Sequence, residues 1–229
     1  MINYYDDIIQ GSTTWLAVRC GVLTASEMKH ILTPTLKVAY NDKTRQHAYE
    51  LLAQRITQYV EPHYIGDDML RGMADEITAR DLYATHNEPV KEMGFITNNK
   101  WGFLLGFSPD GLVGNDGFIE IKSRRQKYQI ETILAHDVPA EYMLQIQTGL
   151  LVSERKWCDF ISYSAGLPMY TTRVFADETM QAAIIAAATE FETKLKGLQS
   201  EYLCSLEADN IRLIPTERIE EADGDILLG

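Results

Sequence analysis

Ser108-Pro109-Asp110-Gly111, followed by Phe118-Ile119-Glu120-Ile121-Lys122-Ser123, constrains this chain more than any other stretch. Trp101 to Phe107 reads as an apolar strand, Ser108 to Gly111 as a turn, Asn115-Asp116-Gly117 as a hairpin loop and Phe118 to Ser123 as the returning strand. Side chains alternate across a strand, so Glu120 and Lys122 share one face and Ile119 and Ile121 the other. Asp110 falls at the rim of the charged face, with the Ile121 carbonyl close enough to be a further oxygen ligand. Each half also has an ordinary explanation. Ser-Pro-Asp-Gly is a well-formed type I turn, and Glu-Ile-Lys is an amphipathic strand with its charges in water. In hairpin order, the two together favour a site.

Carboxylate and carbonyl oxygens suit Mg²⁺, which keeps several waters and is usually held by one or two carboxylates. Such an ion polarises a phosphodiester and acidifies a bound water, while Lys122 orients that water or screens developing charge. Metal-dependent phosphodiester hydrolysis is the expected chemistry, with Mg²⁺ as cofactor and Mn²⁺ as a substitute. Zinc is not expected: His30, His47, His63, His86 and His136 show no HxxxH or HxH spacing, and Cys20, Cys158 and Cys204 form no CxxC pair. A third acid is sought upstream, where Asp68 to His86 has helical character. Met69, Met73, Glu76, Arg80 and Tyr83 recur along one stripe, placing Glu76 among apolar neighbours. Glu76 is then either an acid of the site or the i+4 partner of Arg80.

Two further segments carry chemistry. Thr24-Ala25-Ser26-Glu27 fits the T-x-x-E capping box and predicts a helix over Ser26 to Leu32, whose first turn offers N–H groups to an anion. Arg19 can add bidentate contact to a terminal phosphate, the alternative being a plain cap beside a surface arginine. On a helix from Pro139 to Val152, Tyr142, Gln145 and Gly149 lie along one side. Gln145 can reach a metal-bound water or phosphate, or satisfy backbone groups in the core.

Helical patterns also occupy Thr13 to Arg19, Thr44 to Val60 and Tyr128 to Ala135, with a β region from Gly94 to Ser123. Trp157 to Tyr163 and Met169 to Phe175 read as a β pair, and Asp177 caps an alanine-rich helix reaching about Tyr202. Strands flanked by helices early and late predict an α/β core with a mixed sheet. The 229 residues, 45% of them hydrophobic, are compatible with one domain over residues 1–205 and an irregular acidic tail over 206–229. Glu217, Glu220, Glu221, Asp223 and Asp225 crowd that tail. No run approaches the ~18 consecutive apolar residues of a membrane span, and three sparse cysteines suggest reduced thiols in a cytosolic protein. The net charge of −12 argues against a general polyanion binder. Lys122, Arg124, Arg125 and Lys127, however, gather beside the proposed site or form a solvated loop there.

Five blocks in consistent order resemble the lambda-exonuclease (YqaJ-type viral recombinase) branch of the PD-(D/E)xK nucleases. These are Trp15 to Glu27, Gly72-Met73-Ala74-Asp75-Glu76, Ser108 to Gly111, Glu120-Ile121-Lys122 and Tyr142 to Gln147. The resemblance implies a restriction-endonuclease-like core with a central mixed β-sheet flanked by helices. It also implies that Asp110, Glu120 and the Ile121 carbonyl are metal ligands, Lys122 the catalytic lysine, Glu76 a helical acid near the metals and Gln145 the active-site glutamine. Arg19, Ser26 and Ser108, with Thr24 beside them, match the positions that receive a 5′-phosphate. One departure is visible, since relatives often follow the lysine with Cys-Pro and this chain has Ser123-Arg124-Arg125. The implied activity is 5′-to-3′ digestion of one strand of linear double-stranded DNA, leaving 3′ overhangs for recombination. A homotrimeric ring, a single-strand annealing protein as partner and a cytoplasmic, phage- or prophage-encoded origin come with it. A restriction-like endonuclease and a non-catalytic adaptor that binds DNA ends are the alternatives.

Overall fold

In the computed structural model, which describes residues 1–62, 66–208 and 211–218, the elements run in chain order as follows. The first half holds β1 (Ile2–Tyr5), α1 (Thr13–Arg19), β2 (Leu23–Thr24), a 3-10 helix (Ala25–His30), α2 (Asp42–Thr57) and α3 (Asp67–His86). Five strands follow: β3 (Val90–Lys91), β4 (Phe95–Asn98), β5 (Leu105–Phe107), β6 (Gly111–Val113) and β7 (Gly117–Ser123). Then come α4 (Gln126–Ala135), α5 (Ala140–Ser153), β8 (Trp157–Tyr163), β9 (Tyr170–Phe175) and α6 (Glu178–Leu206).

The strands form two mixed sheets, ordered β1-β4-β5-β2 and β3-β6-β7-β8-β9, in place of one central sheet. β2 with β5 and β7 with β8 are parallel, and the other pairs are antiparallel. The chain passes from one sheet to the other through Ser108-Pro109-Asp110. Proline has no N–H to give a ladder, so pairing stops there and Asp110 stands at the junction. β6 and β7 close the expected hairpin, with Val113 opposite Gly117 and Gly114 taking φ +49° in the loop.

β7 is buried on both faces from Gly117 to Ile121. On one side Ile119 and Ile121 pack with Ala79 and Tyr83 of α3. On the other, Phe118 joins Phe107, Leu144 and Phe160 in the larger core, where the Phe107 and Phe118 rings meet edge-on at 4.8 Å. α5 crosses β4, β5 and the 3-10 helix. Gly149 explains how closely it approaches, because a Cβ there would lie 2.7 Å from the Phe107 ring. Gly149→Ala is expected to destabilise the fold by about 1–3 kcal/mol, since a buried ring must shift to admit the methyl. A denaturant midpoint equal to wild type would contradict this packing.

Asp177 caps α6 through Met180 N–H at 3.0 Å, and Ile184, Ala187, Ala188, Phe191 and Leu195 form its buried stripe. A buried polar knot ties α3 to the outer strands. Asp159 accepts both arms of Arg173 at 2.7 and 2.8 Å and the Tyr83 hydroxyl at 2.6 Å, while the Arg173 guanidinium lies 3.6 Å from the Trp157 ring centroid.

Several expectations need correction. Residues 101–104 are not strand: Gly102 at φ +83° turns the chain, and β5 begins only at Leu105. The segment after Thr24 is a six-residue 3-10 helix rather than a helix to Leu32. Pro139 is the residue before α5 rather than its first, and α6 runs to Leu206, past Tyr202. β1, β2 and β3 are not among the strands that the sequence patterns predict. Residues 211–218 are neither helix nor strand. His63 and most of the acidic tail, from Ile219 on, lie outside the described residues.

Candidate active site

Strand alternation puts Glu120 and Lys122 together, as the sequence requires. The Lys122 ammonium is 2.6 Å from Glu120 Oε1, and Gln145 Nε2 donates to that same oxygen at 2.6 Å. Lys122 also donates to Gln145 Oε1 at 3.2 Å, so the three side chains close a ring. Glu120 is 1% exposed, and its other oxygen, Oε2, has no hydrogen-bond partner among the described residues. A buried carboxylate oxygen left bare is costly unless something electropositive meets it.

Asp110 reaches the group along the edge of the sheet. β6 has already ended beside Ile121, and the Asp110 Oδ2 takes the Ile121 N–H at 2.5 Å where a ladder partner would have been. In a strand the N–H and C=O of one residue point to the same side, so the Ile121 carbonyl also faces Asp110. Burial, followed by the charges of Glu120 and Glu76, pushes the Asp110 carboxyl well above the ordinary range, against the pull of Lys122 and the Ile121 N–H. Burial raises Glu120 as well, with Lys122 opposing. Lys122 is held above the usual lysine range: burial works against the charge, but Glu120 and Asp110 outweigh it.

Glu76 fits both readings of it. It lines a cleft of about 570 Å³ together with Asp110, and it is also ion-paired with Arg80 one turn on. Its neighbours on the stripe are not the packed apolar face expected, for Met69 is 52% and Met73 56% exposed and only Tyr83 is buried.

The four residues assigned to a terminal phosphate converge. Arg19, Thr24, Ser26 and Ser108 line one cavity of about 30 Å³, and Gln145 forms part of the same wall. Arg19 Nη2 donates to Thr24 Oγ1 at 3.4 Å, and burial lowers its pKa against the pull of Glu27 and Glu50. Glu27 accepts the Thr24 N–H at 3.1 Å and its hydroxyl at 2.7 Å, which is the capping-box contact. Two supporting residues, Trp15 and Gln10, have no role assigned from sequence alone. Trp15 carries Arg19 over its ring at 4.4 Å and donates to Ser108 Oγ at 3.0 Å. An indole N–H can only donate, so Ser108 accepts there and its own proton is left for a ligand. Gln10 fixes the turn by donating to the Pro109 carbonyl at 2.8 Å, and Glu27 faces Arg19 at 3.6 Å. The four-residue spacing of Trp15 and Arg19 on α1 was the available signal.

Hard oxygens, a bare buried carboxylate oxygen and mutual repulsion among Asp110, Glu120 and Glu76 fit a divalent cation. Among the described residues, no group of three or more histidine, cysteine, aspartate or glutamate side chains is placed to hold a metal ion. Residues 14–156 match the model of the YqaJ-like viral recombinase domain. The chain belongs to that family. A YqaJ-like recombinase should share its fold with nucleases of the restriction-endonuclease type, and this one does. The crystal structure of an alkaline exonuclease (LHK-Exo) from Laribacter hongkongensis superposes with TM-score 0.71 at 30% identity, covering 85% of this chain and all of that one. LHK-Exo in complex with dAMP gives TM-score 0.72 and 32% identity over the same shares. A phage-related exonuclease from Haemophilus somnus 129PT shares the fold at TM-score 0.56 and 13% identity, over 79% of this YqaJ-like chain and 96% of the other. No curated protein matches it. Among the described residues, no helix is long and apolar enough to cross a membrane.

Proposed function

We propose that this chain is a Mg²⁺-dependent 5′-to-3′ exonuclease that degrades one strand of linear double-stranded DNA and leaves 3′ overhangs for recombination by strand annealing. One observation carries the reading: Gln145 belongs both to the wall of the Arg19 cavity and to the Glu120–Lys122 ring. A pocket for a terminal phosphate and a hydrolytic cluster therefore share a side chain, which suits an enzyme that counts from a 5′ end.

Asp110, Glu120 and the Ile121 carbonyl would hold the ion, with Glu76 at the rim and Mn²⁺ as a substitute. When bound, it supplies positive charge to the scissile phosphate and acidifies a coordinated water. Lys122, whose charge Glu120 and Asp110 favour, would donate to the attacking water or to the phosphate oxygen. Gln145 holds Lys122 and Glu120 in register. Arg19 and the free Ser108 proton bind the terminal phosphate. A ring-shaped homotrimer and a single-strand annealing partner belong to the same proposal and rest on the family resemblance.

The deciding experiment digests linear duplexes labelled separately at each 5′ end, with phosphate or hydroxyl termini, in Mg²⁺ and in EDTA, beside covalently closed circles. Release from phosphorylated 5′ ends in Mg²⁺ alone, with circles intact, is the expected result. Cleavage of closed circles would move the assignment to an endonuclease. Arg19→Ala is expected to weaken use of 5′-phosphorylated ends by about 10- to 100-fold while hardly touching hydroxyl ends, as loss of a charge-assisted contact requires. Equal losses on both ends would remove the role given to Arg19.

A further inference from the structure

We propose that the cavity between α4, α5 and the end of β7 is a nucleotide subsite. On the nuclease reading above, it receives an unpaired nucleotide on the 3′ side of the scissile phosphate. The cavity measures about 930 Å³, within the roughly 300–1,000 Å³ of small-molecule sites, and Ser123, Arg124, Tyr128 and Tyr142 lie in its wall.

Arg124 is held as a fixed recognition group. Its side chain is 9% exposed, and Nη1 donates to Glu141 at 2.9 Å and to the Tyr142 hydroxyl at 2.6 Å. The guanidinium sits 5.2 Å from the Tyr128 ring centroid and 5.4 Å from that of Tyr142. Its Nε is buried and has no hydrogen-bond partner among the described residues. An arginine N–H enclosed this way calls for an acceptor, which a phosphate oxygen or a base carbonyl supplies. Tyr128 is 42% exposed and offers a ring on which a base can stack, with the Lys127 ammonium 4.6 Å from its centroid. Arg71, Arg124 and Arg125 in the wall are balanced by Glu131, Asp137 and Glu141. That balance fits one base with its sugar and phosphate better than a run of phosphates.

Position gives the subsite its place in the reaction. Tyr142 is the partition: Lys122 Nζ lies 5.3 Å from its ring, and its hydroxyl meets Arg124. Gln145, one turn further along α5, opens to the terminal-phosphate cavity. A strand with its 5′-phosphate at Arg19 and its first internucleotide phosphate at Glu120 and Lys122 continues past Tyr142 into this cavity.

The test uses the full chain and a 5′-phosphorylated duplex carrying 2-aminopurine as its second nucleotide, bound in EDTA. Wild type is expected to change the probe's fluorescence at least twofold, Tyr128→Phe to keep the change and Tyr128→Ala to lose it. A probe ten nucleotides inward should respond equally in all three. In Mg²⁺, Tyr128→Ala should raise KM about tenfold with little change in kcat, as loss of one stacked base implies. An abasic second nucleotide should impose the same loss on wild type and no further loss on the variant. Independent, multiplying losses, or no fluorescence difference between wild type and Tyr128→Ala, would overturn the subsite. A protein that responds to the probe but digests nothing keeps the subsite and loses the hydrolytic reading. One that digests DNA without the response loses the subsite alone.

Discussion

Asp110→Asn is expected to reduce metal-dependent nucleotide release by about three orders of magnitude or more, and at the same time to make the metal-free protein harder to unfold. The two effects share one cause. Asp110 is half-buried beside Glu120 and Glu76, and its carboxyl is pushed well above the ordinary range by burial and then by those charges. Asparagine keeps an oxygen for the Ile121 N–H but removes the repulsion. The sign of the pH dependence follows. A carboxyl with a raised folded-state pKa binds more protons folded than unfolded, so metal-free wild type loses stability as pH rises above the ordinary carboxylate range and through the folded value. Asp110→Asn should flatten that decline. Added Mg²⁺ should raise the wild-type melting temperature increasingly toward alkaline pH and leave the variant nearly unmoved. Glu120→Gln makes the contrast: it also stops turnover, but it takes from Lys122 the negative charge 2.6 Å away and leaves that ammonium without its closest counter-charge, so it should not stabilise. Melting temperatures across pH with and without Mg²⁺, beside nucleotide release, check all of this. Retained turnover in Asp110→Asn would remove the aspartate from the site.

Asp159→Asn is expected to be the more damaging change to the fold. One amide cannot replace a carboxylate that accepts two Arg173 nitrogens and the Tyr83 hydroxyl together. Arg173 is 41% exposed and can turn partly to water, which limits its share of the loss. The buried Tyr83 cannot. A cost of about 2–3 kcal/mol is reasonable, read as a shift in urea midpoint at constant slope. Tyr83→Phe removes a single hydrogen bond and should cost about 1 kcal/mol. The same knot fixes α3 against β8, and α3 carries Glu76, so Asp159→Asn should also lower activity in conditions where it stays folded. Unchanged unfolding would mean that the knot contributes nothing net.

The reactive hairpin was legible because its information is local. Period-two alternation puts Glu120 beside Lys122, and Pro109 marks where pairing must stop. The assignment of Arg19, Ser26 and Ser108 to a terminal phosphate came from the family resemblance, since spacing from Thr24 to Glu27 encodes a cap and nothing more. That cap announced a helix start but carried no length, and the segment closes as a short 3-10 helix. The stripe of Met69, Met73 and Glu76 marked a face without saying what covers it, and the two methionines are largely in solvent. The division into two sheets rests on pairings such as β1 with β4, Ile2 opposite Asn98, which no local window contains. Trp15 and Gln10 were passed over because their partners, Ser108 and the Pro109 carbonyl, lie more than ninety residues away.

The bond from Ile121 N–H to the Asp110 carboxylate has a consequence for how this protein can vary. A side chain there completes the backbone's pairing, so aspartate and glutamate are not interchangeable at position 110. One extra methylene would either prise the strand edge open or carry the oxygen past the amide, and the neighbouring carbonyl would swing with it. The length of that one acid is dictated by the mainchain it mends.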